Sequence, residues 1–231
     1  TASVDGDSIK IAAGQYDLTS SLVIEKTVSI SALVATAKPV FTTTANDFFL
    51  VNAEGVEFKN LILNMGLTTT SGLRGIVSTQ NFDLLKLTNN EFVSTNAAVA
   101  DITQNFVWGA FAVSLVSPAD QFYTVEVKNN KVVAAPTFKL FGRGFYLGSN
   151  EGNAPGGIIG ENQIQAYYAI QAARVPSNLD ILDNQINGTS MFNVALNNAV
   201  ITIENNTFSA DQQLTPMGLY AVVEFRAIEN G

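Results

Sequence analysis

Two arginines stand in the same short context, Arg74-Gly-Ile and Arg143-Gly-Phe, in a chain of 231 residues that has neither histidine nor cysteine. A guanidinium can grip a carboxylate or sulfate through two parallel N–H donors. Trp108, Tyr146, Gln171 and Asn193 add aromatic faces and amides. Sugar rings stack their C–H faces on aromatic rings, while Asn, Gln and Arg bind hydroxyls and carboxylates. Trp108, Tyr146, Arg143, Gln171 and Asn193 therefore form a candidate glycan platform. Phe106, Phe138 and Phe141 lie in the same connections and read as a small satellite core that folds loops back over the body.

The missing residue types exclude whole classes of chemistry. Without histidine there is no Ser-His-Asp machinery and no imidazole-bound zinc. Without cysteine there are no disulfides, thiolate metal sites or cysteine nucleophiles. A formal net charge of −8 argues against nucleic acid as a partner. No apolar run approaches the roughly 20 residues of a membrane-spanning helix. No cofactor is expected. The loop Ser149-Asn-Glu-Gly-Asn-Ala-Pro-Gly-Gly157 could offer calcium Glu151 and its Asn side chains, but its spacing matches no defined calcium loop.

The elements that must position these residues are announced by a repeat. Ile181-Leu-Asp-Asn-Gln-Ile186 returns downstream as Ile203-Glu-Asn-Asn-Thr-Phe208, and at the same interval upstream as Ile159-Gly-Glu-Asn-Gln-Ile164. Val127-Lys-Asn-Asn-Lys-Val132 and Leu87-Thr-Asn-Asn-Glu-Phe92 extend the series after longer gaps. Asn90, Asn130, Asn162, Asn184 and Asn206 fall in register, Leu61 takes the same slot upstream, and Asn230 opens one more copy. Self-similarity of this kind marks a solenoid. No stretch carries a sustained 3.6-residue apolar period, so the elements are strands.

From residue 74 onward each unit parses into three strands. The first strands are 76–77, 111–115, 145–147, 168–172, 192–196 and 220–222. The second run into the Asn at 85–87, 125–127, 159, 179–181 and 201–203, and end at Phe225. The third place Phe92, Val132, Ile164, Ile186 and Phe208 inward. Alternation gives second strands an outward column of Lys86, Glu126, Ile158, Asp180, Thr202 and Arg226. The fold class is all-β, a right-handed parallel β-helix of about seven or eight coils at about 4.8 Å each. Residues 1–231 form one domain. The Asn column is scaffold: the turn between second and third strands needs a residue near the left-handed region, and stacked amides satisfy one another. Asn187-Gly-Thr and Asn205-Asn-Thr match the glycosylation triplet but belong to this turn pattern.

With ladder and coil in place, the chain resembles the pectate-lyase-like superfamily of right-handed β-helices. Gly6-Asp-Ser-Ile-Lys-Ile-Ala-Ala-Gly-Gln-Tyr16 looks like the first coil of many members. Leu22-Val-Ile-Glu-Lys-Thr-Val-Ser-Ile30 and Gly55-Val-Glu-Phe-Lys-Asn-Leu61 are similar to exported surface β-helix proteins of the Bacteroidota. The resemblance implies a bacterial, extracellular or cell-surface location. It also implies two chemistries, both sited on the outward face of the first strand. Lyases eliminate beside a uronate with an Arg or Lys base and calcium held by clustered acids. Hydrolases use two or three close carboxylates.

Here that face is expected to read Ala112, Ser114, Tyr146, Gly148, Ala169, Gln171, Asn193, Ala195 and Ala221, with neither acid nor base. Asp83, Asp180 and Asp183 lie on or near the second strand instead. If the chain were a lyase, Arg143 and Arg74, in the same slot two coils apart, would carry the reaction. The expectation is a non-catalytic module that binds a carbohydrate or cell-surface glycan. The alternatives are a polysaccharide lyase on an acidic glycan, or a structural subunit of a surface or phage-tail assembly. The start at Thr1 without Met suggests a removed leader, and the open last coil suggests a continuation or an oligomer.

Overall fold

A computed structural model describes residues 3–66, 73–78, 83–95, 106–115, 123–134, 140–148, 154–175, 177–188, 190–196, 200–209 and 223–227. Among them the chain forms 23 strands and no helix, so none that is long and apolar enough to cross a membrane. The first coil is Asp7–Ile11 (β1), Gln15–Leu18 (β2) and Leu22–Ile24 (β3). The second is Val28–Ala32 (β4), Val40–Thr43 (β5) and Asp47–Val51 (β6). Gly55–Lys59 (β7), Ile62–Met65 (β8) and Arg74–Ser78 (β9) follow, then Leu84–Thr88 (β10), Glu91–Ser94 (β11) and Phe106–Leu115 (β12). Thr124–Lys128 (β13), Lys131–Ala134 (β14) and Leu140–Leu147 (β15) make the fifth coil. Gly156–Gly160 (β16) leads to the long Gln163–Val175 (β17), which bends through two faces. The last two coils are Leu179–Leu182 (β18), Gln185–Asn187 (β19), Ser190–Leu196 (β20), and Ile201–Glu204 (β21), Thr207–Ser209 (β22), Val223–Ala227 (β23).

Each strand pairs in parallel with its counterpart one coil away, which gives three faces. Face A is the eight-stranded sheet β1-β4-β7-β10-β13-β16-β18-β21. Face B runs from β2 to β22 and face C from β3 to β23, joined through β17. The result is a right-handed parallel β-helix of eight coils. Period-2 alternation explains its core. On face A one register row reads Ile9, Ile30, Phe58, Leu87, Val127, Ile159, Ile181 and Ile203. Those rows, with matching ones from faces B and C, fill the interior with β-branched, Leu and Phe side chains. Phe141 belongs to this main core and is fully buried, so it is not the loop-covering residue the sequence suggests; Phe138 lies outside the described residues.

The corner from face A to face B is where the ladder sits. Six residues there have positive φ: Asn60, Asn89, Asn129, Glu161, Asp183 and Asn205, all between 56° and 58°. Each directly precedes a ladder slot, so the strained residue is the neighbour and the ladder Asn turns inward. Asn90, Asn130, Asn162 and Asn184 are buried. Their Nδ2 atoms donate to the Oδ1 of the next rung at 3.1, 3.0, 3.0 and 2.8 Å, and each also donates to a carbonyl of the coil before at 2.9 Å. The same Oδ1 atoms accept the backbone N–H of the rung before, at 2.9–3.0 Å. Leu61 holds the slot below Asn90 without a side-chain amide, and its backbone N–H donates to Asn90 Oδ1 at 3.0 Å.

Two expectations need correction. β23 does not split between faces A and C: Asn193 pairs with Glu224 and Ala195 with Arg226, so Phe225 and Arg226 lie on face C. Sequence periodicity misassigned them because it assumed one more coil of the same length after Asn206. Gln171 and Asn193 share a register row, and each precedes its own rung, Asn184 or Asn206, by the same interval. Glu224 continues that row, but Asn230 follows it at less than half the interval, too early for a rung. Asn230 itself lies outside the described residues.

The second correction concerns Ala112, Ser114, Gly148 and Ala169, expected outward: all four are buried, and Ala112 and Ala169 belong to the core cluster. Strict alternation fails because face C begins at a sharp corner.

Candidate functional site

The corner from face B to face C produces the site. One register row crosses it through Asp47, Arg74, Phe111, Arg143, Tyr168 and Ser190. Two positions on, the next row of the same parity is Phe49, Ile76, Val113, Phe145 and Ile170, all in the core. Arg74, Phe111, Arg143 and Tyr168 are nevertheless half-exposed. The residue in between makes up the difference. Gly75, Ala112, Gly144 and Ala169 are small and buried, so the backbone turns inward there and throws the preceding side chain out. The local motif is thus a large or charged residue, a small residue, then an apolar one.

Arg143 stands at the centre. Its guanidinium carbon lies 5.0 Å from the Phe111 ring centroid, 5.2 Å from Tyr146 and 5.7 Å from Tyr168. Its Nε donates to Gln171 Oε1 at 2.5 Å. Phe111 and Tyr146 are in tilted contact at 5.3 Å, and Tyr168 meets Tyr167 edge-on at 4.8 Å. Tyr167 is buried against Ala134, which anchors this second layer. Burial pulls the Arg143 guanidinium below its ordinary value, and the nearby Tyr146 and Tyr168 act in the opposite direction. An arginine starts so far above neutrality that it keeps its charge. Each cation–ring contact contributes about 0.5–2 kcal/mol, more as water is excluded.

Tyr146 and Gln171 belong to a second row beside the first, which reads Leu50, Val77, Ser114, Tyr146, Gln171, Asn193 and Glu224. Val77 and Ser114 in this row are buried, whereas Tyr146 and Gln171 are half-exposed. The structure therefore brings together Arg143, Tyr146 and Gln171 and sets Asn193 one coil further along. The side chains of Asn193 and Trp108 lie outside what is described, as does the Glu151 loop. The face is not bare of charge, because Arg143 stands half-exposed on its corner.

Arg74 shares Arg143's slot two coils away, as expected, but its surroundings differ. Its Nε and Nη2 grip Asp47 Oδ1 and Oδ2 at 2.6 and 2.9 Å. The two side chains are 35% and 15% exposed, so the pair is partly shielded from solvent. Asp47→Ala is expected to lower stability by about 1–2 kcal/mol in urea titrations, a charged hydrogen bond half out of water. Arg74→Met should cost a similar amount; a change below about 0.3 kcal/mol in both would mean the pair is solvated and idle.

Sequence reasoning missed Phe111, Tyr168 and Asp47. The signal was present: Phe111-Ala-Val and Tyr168-Ala-Ile share the large–small–apolar pattern of Arg143-Gly-Phe. Among the described residues no three His, Cys, Asp or Glu side chains come together as a metal site would require.

The fold and this cluster define a right-handed parallel β-helix with an aromatic and cationic patch on one outer face. A scan of protein-family profiles and a search of curated proteins each returned no match to the chain.

Proposed function

We propose that this chain is a non-catalytic glycan-binding module, exported to a bacterial surface and related to the pectate-lyase-like β-helices. The observation that carries the reading is the Arg143 guanidinium set among the rings of Phe111, Tyr146 and Tyr168 and bonded to Gln171. Aromatic faces accept the C–H side of a sugar, and a guanidinium already oriented by its neighbours contacts a carboxylate or sulfate with little further ordering. An acidic glycan suits both. Tyr146 and Gln171 stand half-exposed on successive coils, roughly 4.8 Å apart, with Asn193 at the next register position. A linear chain lying along the helix axis would follow this row. The reading requires no cofactor.

The alternative, a lyase acting through Arg143 and Arg74, draws less support. Arg74 is engaged by Asp47, and two coils separate the arginines.

Binding to alginate, pectate and chondroitin oligosaccharides by calorimetry tests the proposal. Tyr146→Ala and Arg143→Gln should each weaken the preferred acidic glycan about tenfold, or about 1.4 kcal/mol. Arg74→Met should leave it unchanged. Wild-type affinity in both Tyr146→Ala and Arg143→Gln would remove the platform. Ultraviolet-absorbing unsaturated products on incubation with any of these glycans would replace binding with lysis.

A further inference from the structure

The corner from face A to face B carries a side-chain cluster that the glycan reading does not use. Lys38 lies in the connection from β4 to β5, and its side chain reaches past the third coil to the fourth. There its Nζ donates to Asn89 O at 2.8 Å, to Glu91 Oε1 at 2.9 Å and, more loosely, to Asn89 Oδ1 at 3.4 Å. The Lys38 side chain is 14% exposed and that of Glu91 28%, against 39–66% in the ion pairs Lys26–Asp5 and Lys86–Glu126. Among the described residues, only Lys38 brings an ammonium, a carboxylate and a side-chain amide together.

The amide is held as well as the amine. Asn89 Nδ2 donates to Oδ1 of the buried Asn60 at 2.5 Å, which leaves the amide oxygen on the side of Lys38. The positive φ of Asn89 fixes its place at the turn, directly before the rung Asn90. Below that rung the column of stacked amides stops, because Leu61 takes the third-coil slot. Lys38 bridges this gap from the second coil to the fourth.

The geometry points to a covalent cross-link, an isopeptide bond between Lys38 Nζ and Asn89 Cγ that forms within the folded chain with Glu91 as proton carrier. An amine held beside an amide reacts as if at very high concentration, which offsets the low reactivity of amides toward amines. Glu91 touches the attacking nitrogen and can move its protons. Glu91 takes a proton from the ammonium, the freed Nζ lone pair bonds to Asn89 Cγ, and the carbonyl pair moves onto Oδ1. The carbonyl then re-forms and the Cγ–Nδ2 bond breaks. Nζ gives up two protons in all, and both end on the departing nitrogen through Glu91. One ammonium ion leaves, Glu91 is restored, and no oxidant or other reactant takes part. In a chain without cysteine the bond acts as a disulfide does elsewhere. It joins residues 51 apart in sequence and keeps the second to fourth coils from separating one at a time. This inference is independent of the glycan platform, which lies at another corner.

Mass spectrometry of the full 231-residue chain, purified folded and then denatured, is the test. The mass is expected to fall short of the sequence sum by one ammonia, and a protease digest should yield one branched peptide that contains both Lys38 and Asn89. Lys38→Arg, which keeps a cation beside Glu91, should restore the full mass. Asn89→Gly, which suits the φ of 56°, should do the same. Both should retain the β-sheet circular dichroism of the parent and melt below it. Glu91→Gln should fold and slow bond formation about a hundredfold or more, leaving most of the chain at full mass. Full mass in the parent chain overturns the proposal. So does an ammonia loss that survives Lys38→Arg, which belongs to a succinimide such as one at Asn187-Gly188. A bond that forms completely in Glu91→Gln removes Glu91 from the reaction and overturns the mechanism.

Discussion

Replacing Asn162 with alanine is expected to lower the melting temperature by roughly 4–24 °C, because it leaves buried polar groups without partners at the middle of the ladder. Asn162 Oδ1 accepts both the backbone N–H and the Nδ2 of Asn130, at 2.9 and 3.0 Å. Its own Nδ2 donates to Val127 O at 2.9 Å and to Asn184 Oδ1 at 3.0 Å. Asn130 Nδ2 keeps Leu87 O and Lys128 O, and Asn184 Oδ1 keeps the backbone N–H of residue 162. The groups that lose a partner outright are the Asn130 N–H and the amide side of Val127 O. At about 1–3 kcal/mol for each orphaned buried group, the cost is about 2–6 kcal/mol. For a chain of this size each kcal/mol moves the midpoint by about 2–4 °C.

The terminal rung supplies the internal comparison. Asn206 is only half-buried, and Asn206→Ala should cost less than Asn162→Ala. Thr202→Ala, on the outer side of face A, should cost under about 0.5 kcal/mol. If Asn162→Ala melts with Thr202→Ala, the amides are ornaments on a stack held by its core alone. Asn162→Leu adds a sharper contrast. Leu61 is tolerated in the slot because no ladder amide stands below it, so leucine at 162 should fail where leucine at 61 succeeds.

The ladder was legible because one residue type recurs at one position, and each copy forces the same turn. Its parity then fixed the inward columns on every strand that stays on one face. Legibility ended where the chain turns from face B to face C. Alternation carried through that corner places Ala112 and Ala169 outside and leaves Phe111 and Tyr168 unassigned. The small residue after each of them is what reverses the parity, and it was read as a property of the arginines alone. Arg74 and Arg143 were correctly placed in one slot, but sequence could not separate them. What distinguishes them comes from neighbouring coils: Asp47 lies one coil below Arg74, whereas Phe111 and Tyr168 lie on either side of Arg143. Those neighbours are a whole coil away along the chain, at intervals that vary with loop length. The last strand misled for the same reason, since the interval between Phe208 and Val223 departs from the earlier period.

Gly144→Ala is expected to disable the binding face together with the fold. A Cβ on Gly144 would lie 2.5 Å from Ala169 O and 2.7 Å from Ile164 Cγ2. The first of these is backbone in the neighbouring strand, so a rotamer change cannot relieve it. β15 must lift away from β17 or tilt at the corner. Overpacking of this kind costs about 1–3 kcal/mol, or roughly 2–12 °C in the melting midpoint of a chain this long.

Gly75→Ala offers the parallel case at Arg74, where the added atom would meet Ala112 O at 2.4 Å and the Phe92 ring at 3.0 Å. Both variants should melt early, but only Gly144→Ala should also lose glycan affinity when assayed well below its midpoint. The reason is geometric. The same inward turn that seats Gly144 against Ala169 aims Arg143 outward between Phe111 and Tyr168, so moving one moves the other. Calorimetric binding at low temperature, beside urea titration of each variant, reads the two effects separately. Wild-type stability in Gly144→Ala would mean the corner has room to spare and that the glycine after each arginine is incidental. Lost stability with full affinity would detach Arg143 from the site. The arginine-glycine pair is then best understood as one device, in which the glycine makes the corner and the corner presents the charge.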